Sequence, residues 1–189
     1  MSETAASLRF LALLGPIEGD LERYCRRLIW EPQEAPDALQ NAVMRAFGAF
    51  DRYREDASFR AWMLKIVTRE AFAMNRRHAR IARHEFQLEP GELARLGGGA
   101  EAEVNPVPGA ALGNILEPPL AAALKTLTDT ERAVLLLRAM GEMRYREIAE
   151  ALEIPLGSVM GNLSRARQKM RARLTGPAGR DSLSKEKCL

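Results

Sequence analysis

The chain has 189 residues, room for one or two small domains, and its 28 Lys and Arg against 25 Asp and Glu leave a net charge of only +3. Its two cysteines, Cys25 and Cys188, lack metal-ligand spacing and point to free thiols in a reducing cytoplasm rather than to a disulfide or zinc framework. No secretory leader opens the chain and no apolar run approaches the roughly 18 residues of a membrane span, so a soluble, cytoplasmic protein without membrane insertion is expected.

Aromatic residues are sparse and no alternating strand pattern stands out, which predicts an all-α protein. Ser2 to Leu14 reads as a short amphipathic helix broken at Gly15-Pro16. Ile17 to Trp30 follows as a helix with Ile17, Leu21, Tyr24, Leu28 and Cys25 inward. Pro32 and Pro36 bracket a loop, and Asp37 is placed to cap a helix from Ala38 to about Tyr53. Its inward stripe would be Leu39, Val43, Ala46, Phe47 and Phe50, and its outward face Gln40, Asn41, Met44, Arg45 and Gly48. After the polar loop Arg54 to Ser58, with Ser58 as cap, a long helix runs from Phe59 to about Arg83. Its first half buries Phe59, Trp62, Met63, Ile66 and Val67, with Arg60, Lys65 and Arg69 outward. Its second half carries Arg76, Arg77, Arg80 and Arg83, with Phe72, Asn75 and His78 between them, a composition suited to phosphates or to a solvated helix end. His78 and His84 read as surface residues, since no acid or cysteine accompanies them at metal spacing.

From Glu85 to Pro119 six glutamates face a single arginine among glycines and prolines, which predicts a flexible acidic tether over residues 87–119. It separates a first domain, residues 1–86, from a second, residues 120–175, and residues 176–189 read as a disordered polar tail.

The second domain has the strongest local signals. Thr128 and Glu131 stand at capping-box spacing before Val134, Leu135 and Leu137, and Gly141 is a stop. A short helix from about Arg146 turns Ile148, Ala149 and Leu152 inward. After the turn Glu153-Ile154-Pro155, a third helix runs from Leu156 to about Arg173. This is a helix-turn-helix, in which the last helix enters a DNA major groove. From Arg165 onward that helix carries Arg165, Arg167, Lys169, Arg171 and Arg173 with no acid, which favours DNA over a merely solvated basic helix.

The two domains together resemble a bacterial sigma factor of the extracytoplasmic-function (ECF, group IV) type in the sigma-70 superfamily. The stretch APDALQNAVMRAF, Ala35 to Phe47, is similar to that family's polymerase-binding helix, and FRAWMLKIVTREAFAMNRR, Phe59 to Arg77, resembles its promoter-melting helix. LTDTERAVLLLR and GSVMGNLSRAR resemble its region 4. The resemblance implies partners: core RNA polymerase through the β′ coiled coil and β flap, promoter DNA, and an anti-sigma factor. It assigns Asp37, Gln40, Asn41, Met44 and Arg45 to polymerase. The minus-ten element falls to Arg54, Asp56, Ser58, Arg60, Lys65, Arg69, Ala73, Arg76, Arg77 and Arg80. Reading of the minus-thirty-five element falls to Ser158, Met160, Gly161, Ser164 and Arg165, with Arg167, Lys169 and Arg144 on phosphates.

Several positions depart from the family. Met160, Gly161 and Asn162 stand where basic or hydroxyl residues are common, Asn41 where a glutamate is, Arg144 where a capping Ser is, and Arg69 and Ala73 where Asn and Asp are. Two other readings stay open at this point: a sigma-like module that sequesters a regulator, and a plain helix-turn-helix repressor. No nucleophile-base pairing or phosphate loop suggests an enzyme, and no cofactor or metal is expected.

Overall fold

The computed structural model describes residues 3–54, 58–85 and 118–175. Residues 87–117 of the expected tether, the tail, Asp56, Cys188 and the side chain of His84 lie outside them, while the tether's last two residues, Pro118 and Pro119, begin a helix. Among the described residues every regular element is helical: α1 Glu3–Leu14, α2 Glu18–Leu28, α3 Ala35–Gly48, α4 Phe59–Glu85, α5 Pro118–Lys125, α6 Asp129–Ala139, α7 Tyr145–Leu152 and α8 Leu156–Thr175. The Gly15-Pro16 break proves to be a single tight turn, Gly15–Ile17, that hands α1 directly to α2.

Helices α1 to α4 form the first group. α2 buries Leu21, Tyr24, Cys25 and Leu28, as its period predicts. The Thr68 hydroxyl donates to the Leu64 carbonyl at 2.7 Å, so the Tyr24 hydroxyl is the donor in its own 2.7 Å bond to Thr68. Cys25 is wholly buried, its thiol directed at the Ala35 carbonyl at 3.7 Å. Burial, moderated by the charge of Arg26 and reinforced by that of Glu22, pushes this thiol up to about 12. In a Cys188→Ser variant we therefore expect no alkylation of native protein at neutral pH, and a labelling rate that follows global unfolding.

α3 differs from expectation in start, end and packing face. It begins at Ala35, because the Pro32–Glu34 turn leads into it and Pro36 is accommodated in the first helical turn. Asp37 is thus inside the helix rather than its cap, and the helix ends at Gly48. Its inward stripe is Ala35, Ala38, Ala42 and Ala46, while Leu39 and Val43 are half-buried and Phe47 is 40% exposed. Small residues let α3 lie close against α4, whose inner face holds Met63, Leu64, Val67, Ala71 and Asn75. At one end of the group Phe10 meets Phe47, Phe50 and Phe59 edge to face, with centroids 5.2–5.7 Å apart.

Helices α5 to α8 form the second group. The expected capping box opens α6, with Glu131 N–H donating to the Thr128 hydroxyl at 3.3 Å and Thr128 N–H donating to Glu131 at 3.1 Å. Glu147 reaches back to the Arg144 N–H at 2.5 Å to start α7. That helix buries Ile148 and Ala151, with Ala149 and Leu152 half-buried. Glu153, in the left-handed region at φ 56, makes the turn that sends α8 back across it. Val159, Leu163 and Ala166 press α8 onto α6 and α5.

The two groups are packed together through one continuous core, with α2 against α6 and α4 against α6 and α7. Polar groups complete the seam. Asn75, fully buried, accepts from the Trp30 backbone N–H at 3.0 Å and donates to Asp129 at 3.0 Å, while the Trp30 indole also donates to Asp129 at 2.8 Å. Arg132 donates to the carbonyls of Leu124, Leu28 and Ile29 at 3.1, 3.4 and 3.5 Å. Two expected separate heads are thus seated on each other, because carbonyls left over at the end of α2 find their donors across the seam.

Candidate polymerase and nucleic-acid interfaces

Three surfaces carry the residues singled out from the sequence. On α3, Asp37, Gln40, Asn41, Met44 and Arg45 all lie on the exposed face. Met44, 65% exposed, borders a shallow groove lined by Leu14, Glu18, Pro36, Leu39 and Gln40. Arg45 pairs with Glu70 of α4 at 3.0 Å, which ties this face to the long helix. An apolar tip amid short polar groups is suited to a helical partner laid along α3.

The second surface is divided. Ser58 caps α4 by accepting from the Ala61 N–H at 3.3 Å. Arg60, 29% exposed at its side chain, is turned into the seam, donating to the Met140 and Gly141 carbonyls at 2.6 and 3.0 Å and to Asp20 at 3.2 Å. Arg69 pairs with Glu153 at the end of α7. Lys65 is half-buried, and Arg54 and Ala73 are exposed. Arg76, Arg77 and Arg80 stand exposed on the last turns of α4, where the helix passes beyond the seam. Asn75 is inside the seam rather than among the phosphate-facing groups, and His78 pairs with Glu34 at 2.5 Å, an acid contributed from outside its own helix. The sequence period carries a signal for Asn75, which continues the buried series Met63, Val67 and Ala71.

The third surface is the start and outer face of α8. Met160, Ser164, Arg165 and Arg167 are exposed, and Ser158 and Gly161 are half-buried. A groove beside α7 is lined by Tyr145, Met160, Leu163, Ser164, Arg167 and Arg171, with Arg144 exposed at the start of α7 next to Tyr145. The side chain of Arg165 remains 58% exposed while its Nη2 donates to the Asn162 amide oxygen at 2.8 Å. Lys169 differs from the expected phosphate contact in having an internal partner, Glu131, at 2.7 Å. Burial would raise the Glu131 carboxyl. The Lys169 hydrogen bond, the Thr128 N–H, and the charge of Lys169 with the Arg165 bond outweigh it, holding the group below the ordinary carboxylate value.

Among the described residues no three His, Cys, Asp or Glu are placed to hold a metal ion, and no helix is long and apolar enough to cross a membrane. The surfaces present donors, cations and apolar tips, the equipment of binding rather than of bond-making.

Comparison with known proteins follows the same division. Sigma-70 region 2 matches residues 16–81 and Sigma-70, region 4 matches residues 119–170. The ECF RNA polymerase sigma-E factor of Escherichia coli is 27% identical over 139 residues, 71% of each chain. The RNA polymerase sigma-H factor of Pseudomonas aeruginosa is 28% identical over 144 residues, 75% of this chain and 74% of that one. Among solved structures, the sigma factor RpoE of Bartonella quintana in complex with the anti-sigma factor NepR shares the fold. Its TM-score is 0.68 at 19% identity, covering 90% of this chain and 97% of that one. CnrH in complex with the cytosolic domain of CnrY gives 0.60 at 26% identity, covering 92% and 94%. Carrying region 2 and region 4 in order on one helical chain, the protein belongs to the sigma-70 family as a sigma factor of the extracytoplasmic-function type.

Proposed function

We propose that this ECF sigma factor docks on the β′ coiled coil of core RNA polymerase through Asp37, Gln40, Asn41, Met44 and Arg45, and reads an upstream promoter element with the start of α8. As a sigma factor it binds core polymerase and directs promoter recognition for transcription initiation; it is not an enzyme, and the chemistry is the polymerase's. The observation that carries this is the succession of a region 2 match and a region 4 match along one chain. A plain repressor would leave the first group without a role, and a module that only sequesters a regulator would leave the acid-free run from Arg165 to Arg173 unexplained.

On the proposed reading, Ser158, Met160, Gly161, Ser164 and Arg165 face base edges while Arg167 and Arg144 grip phosphates. Arg76, Arg77 and Arg80 meet the downstream element first, and Arg60 and Arg69 join with Arg54, Asp56, Ser58, Lys65 and Ala73 once the two groups part. Holding a melted base out of its stack costs a few kcal/mol, which the freed guanidiniums and the polymerase supply together. The second group contacts the β flap, the residue ranges 1–86 and 120–175 act as separable domains, and the chain works in the cytoplasm. The Bartonella RpoE structure holds an anti-sigma factor, and a comparable partner is proposed for this chain.

Run-off transcription with purified core polymerase tests the reading directly; failure to form holoenzyme ends it. At the residue level, Arg165→Ala weakens upstream-element binding by about 1–3 kcal/mol and relaxes preference at one base pair. Equal loss on every duplex would make Arg165 a phosphate contact instead.

A further inference from the structure

The sequence marks Glu131 only as half of a capping box, yet its side chain is 4% exposed and gathers more partners than a cap needs. One oxygen accepts from the Thr128 N–H at 3.1 Å and from Lys169 Nζ at 2.7 Å. The other lies 3.4 Å from Arg165 Nε. Lys169 and Arg165 are one turn apart on α8, so this single carboxylate spans successive turns of the helix that reads DNA.

The far end of Arg165 is held as well. Asn162 donates its amide nitrogen to the Ser158 carbonyl at 2.8 Å, which turns its amide oxygen toward Arg165 Nη2. A guanidinium held at Nε and at one Nη keeps its remaining N–H groups for an incoming acceptor, and it enters the complex with its rotamer already chosen. Lys169 is treated in the opposite way. Its ammonium, on a side chain 41% exposed, is drawn back to Glu131, while Arg167 and Arg171 line the outer groove.

We propose that Glu131 is a positioning residue that sets promoter discrimination, holding Arg165 in a base-reading pose and withholding Lys169 from the DNA backbone. The proposal rests on the reading of α8 as the upstream-element helix. It assigns the missing cations at Gly161 and Asn162 a purpose: fewer loose charges on α8 means less sequence-blind attraction, since every released lysine or arginine adds a phosphate contact available on any DNA.

Glu131→Gln separates this role from helix capping, because glutamine completes a capping box equally well and has nearly the same volume. The probes are a duplex enriched from a randomised library by the full-length wild-type chain and a scrambled duplex of the same composition. Affinities are measured from about 50 to 200 mM salt, the range over which phosphate contacts show most clearly. We expect Glu131→Gln to bind the scrambled duplex several-fold tighter, to steepen the plot of log K against log salt by about 1–2, and to lower the ratio of enriched to scrambled affinity about tenfold. Adding Lys169→Gln to that variant returns about one unit of slope, the share of one phosphate contact. An unchanged ratio and slope, or equal weakening on both duplexes together with a lower melting temperature, would overturn the proposal by leaving Glu131 a structural cap. If the wild-type chain enriches no sequence at all, the reading of α8 itself falls, an outcome distinct from either.

Discussion

Arg132→Met is expected to lower stability by about 1–3 kcal/mol, the cost of leaving a buried acceptor without its donor. Arg132 is 5% exposed and sits at the ends of two helices at once. The Leu28 and Ile29 carbonyls lie at the end of α2, and the Leu124 carbonyl is in the last turn of α5. The Leu124 carbonyl also accepts from the Leu127 N–H at 3.1 Å and the Leu28 carbonyl from the Asn75 amide at 3.4 Å, so the Ile29 carbonyl leans most on Arg132, and all three lie toward the negative end of a helix dipole. One guanidinium serves both helix ends, so a methionine of similar length fills the space and leaves the Ile29 carbonyl without its Arg132 donor. Each buried orphan costs about 1–3 kcal/mol. Urea unfolding checks the magnitude, and small-angle scattering checks the geometry: the variant should be wider than wild type, because its acceptors regain hydrogen bonds only by letting water into the seam. A loss under about 1 kcal/mol with unchanged dimensions would show that the Arg132 bonds add little net stability.

Gly141→Ala should cost about 2–3 kcal/mol, at the upper end of the usual range for forcing extra volume into a packed site. A Cβ there would lie 2.5 Å from the Leu137 carbonyl oxygen and 3.1 Å from Leu64 Cδ1. The first neighbour is backbone within α6, so relief requires unwinding the last turn. The second belongs to α4, so relief also pushes the helix groups apart. Arg60, which holds the Met140 and Gly141 carbonyls, would lose its hold in the same movement. Gly157 supplies the contrast, since a Cβ there meets nothing within 4 Å. Near the start of α8, Gly157→Ala should stabilise by about 0.5–1 kcal/mol through the loss of backbone freedom in the unfolded chain. Thermal melts of the two variants should therefore move in opposite directions.

The parts of the fold that local chemistry specifies were legible in the sequence. Thr128 and Glu131 announce α6, the period of Val159, Leu163 and Ala166 fixes the inner face of α8, and Ser58 marks the start of α4. Legibility fails where the partner is remote. Nothing near Arg132 foretells that its acceptors come from α2, about a hundred positions earlier in the chain. Arg60 looks outward on a helix considered alone and turns into the seam only when Met140 and Gly141 arrive opposite it, and Arg69, which stays exposed, meets Glu153 across the same gap. The alanines of α3 mislead for a different reason. Alanine has a weak hydrophobic signal, so Leu39, Val43 and Phe47 dominate the apparent stripe although close helix packing selects the smaller side chains. The start of α8, proposed to read DNA, stands out in the sequence through the acid-free basic run that follows it from Arg165. The restraint placed on Lys169 does not, because Glu131 was already accounted for by its cap.

The join between the halves shares one apolar core and is edged with amide, indole, carboxylate and guanidinium groups. Solvent can replace each of those polar partners, but prising the halves apart also bares the apolar surface of the shared core. A body built this way is safest carried folded shut, and whatever prises it open must cover the apolar faces it bares.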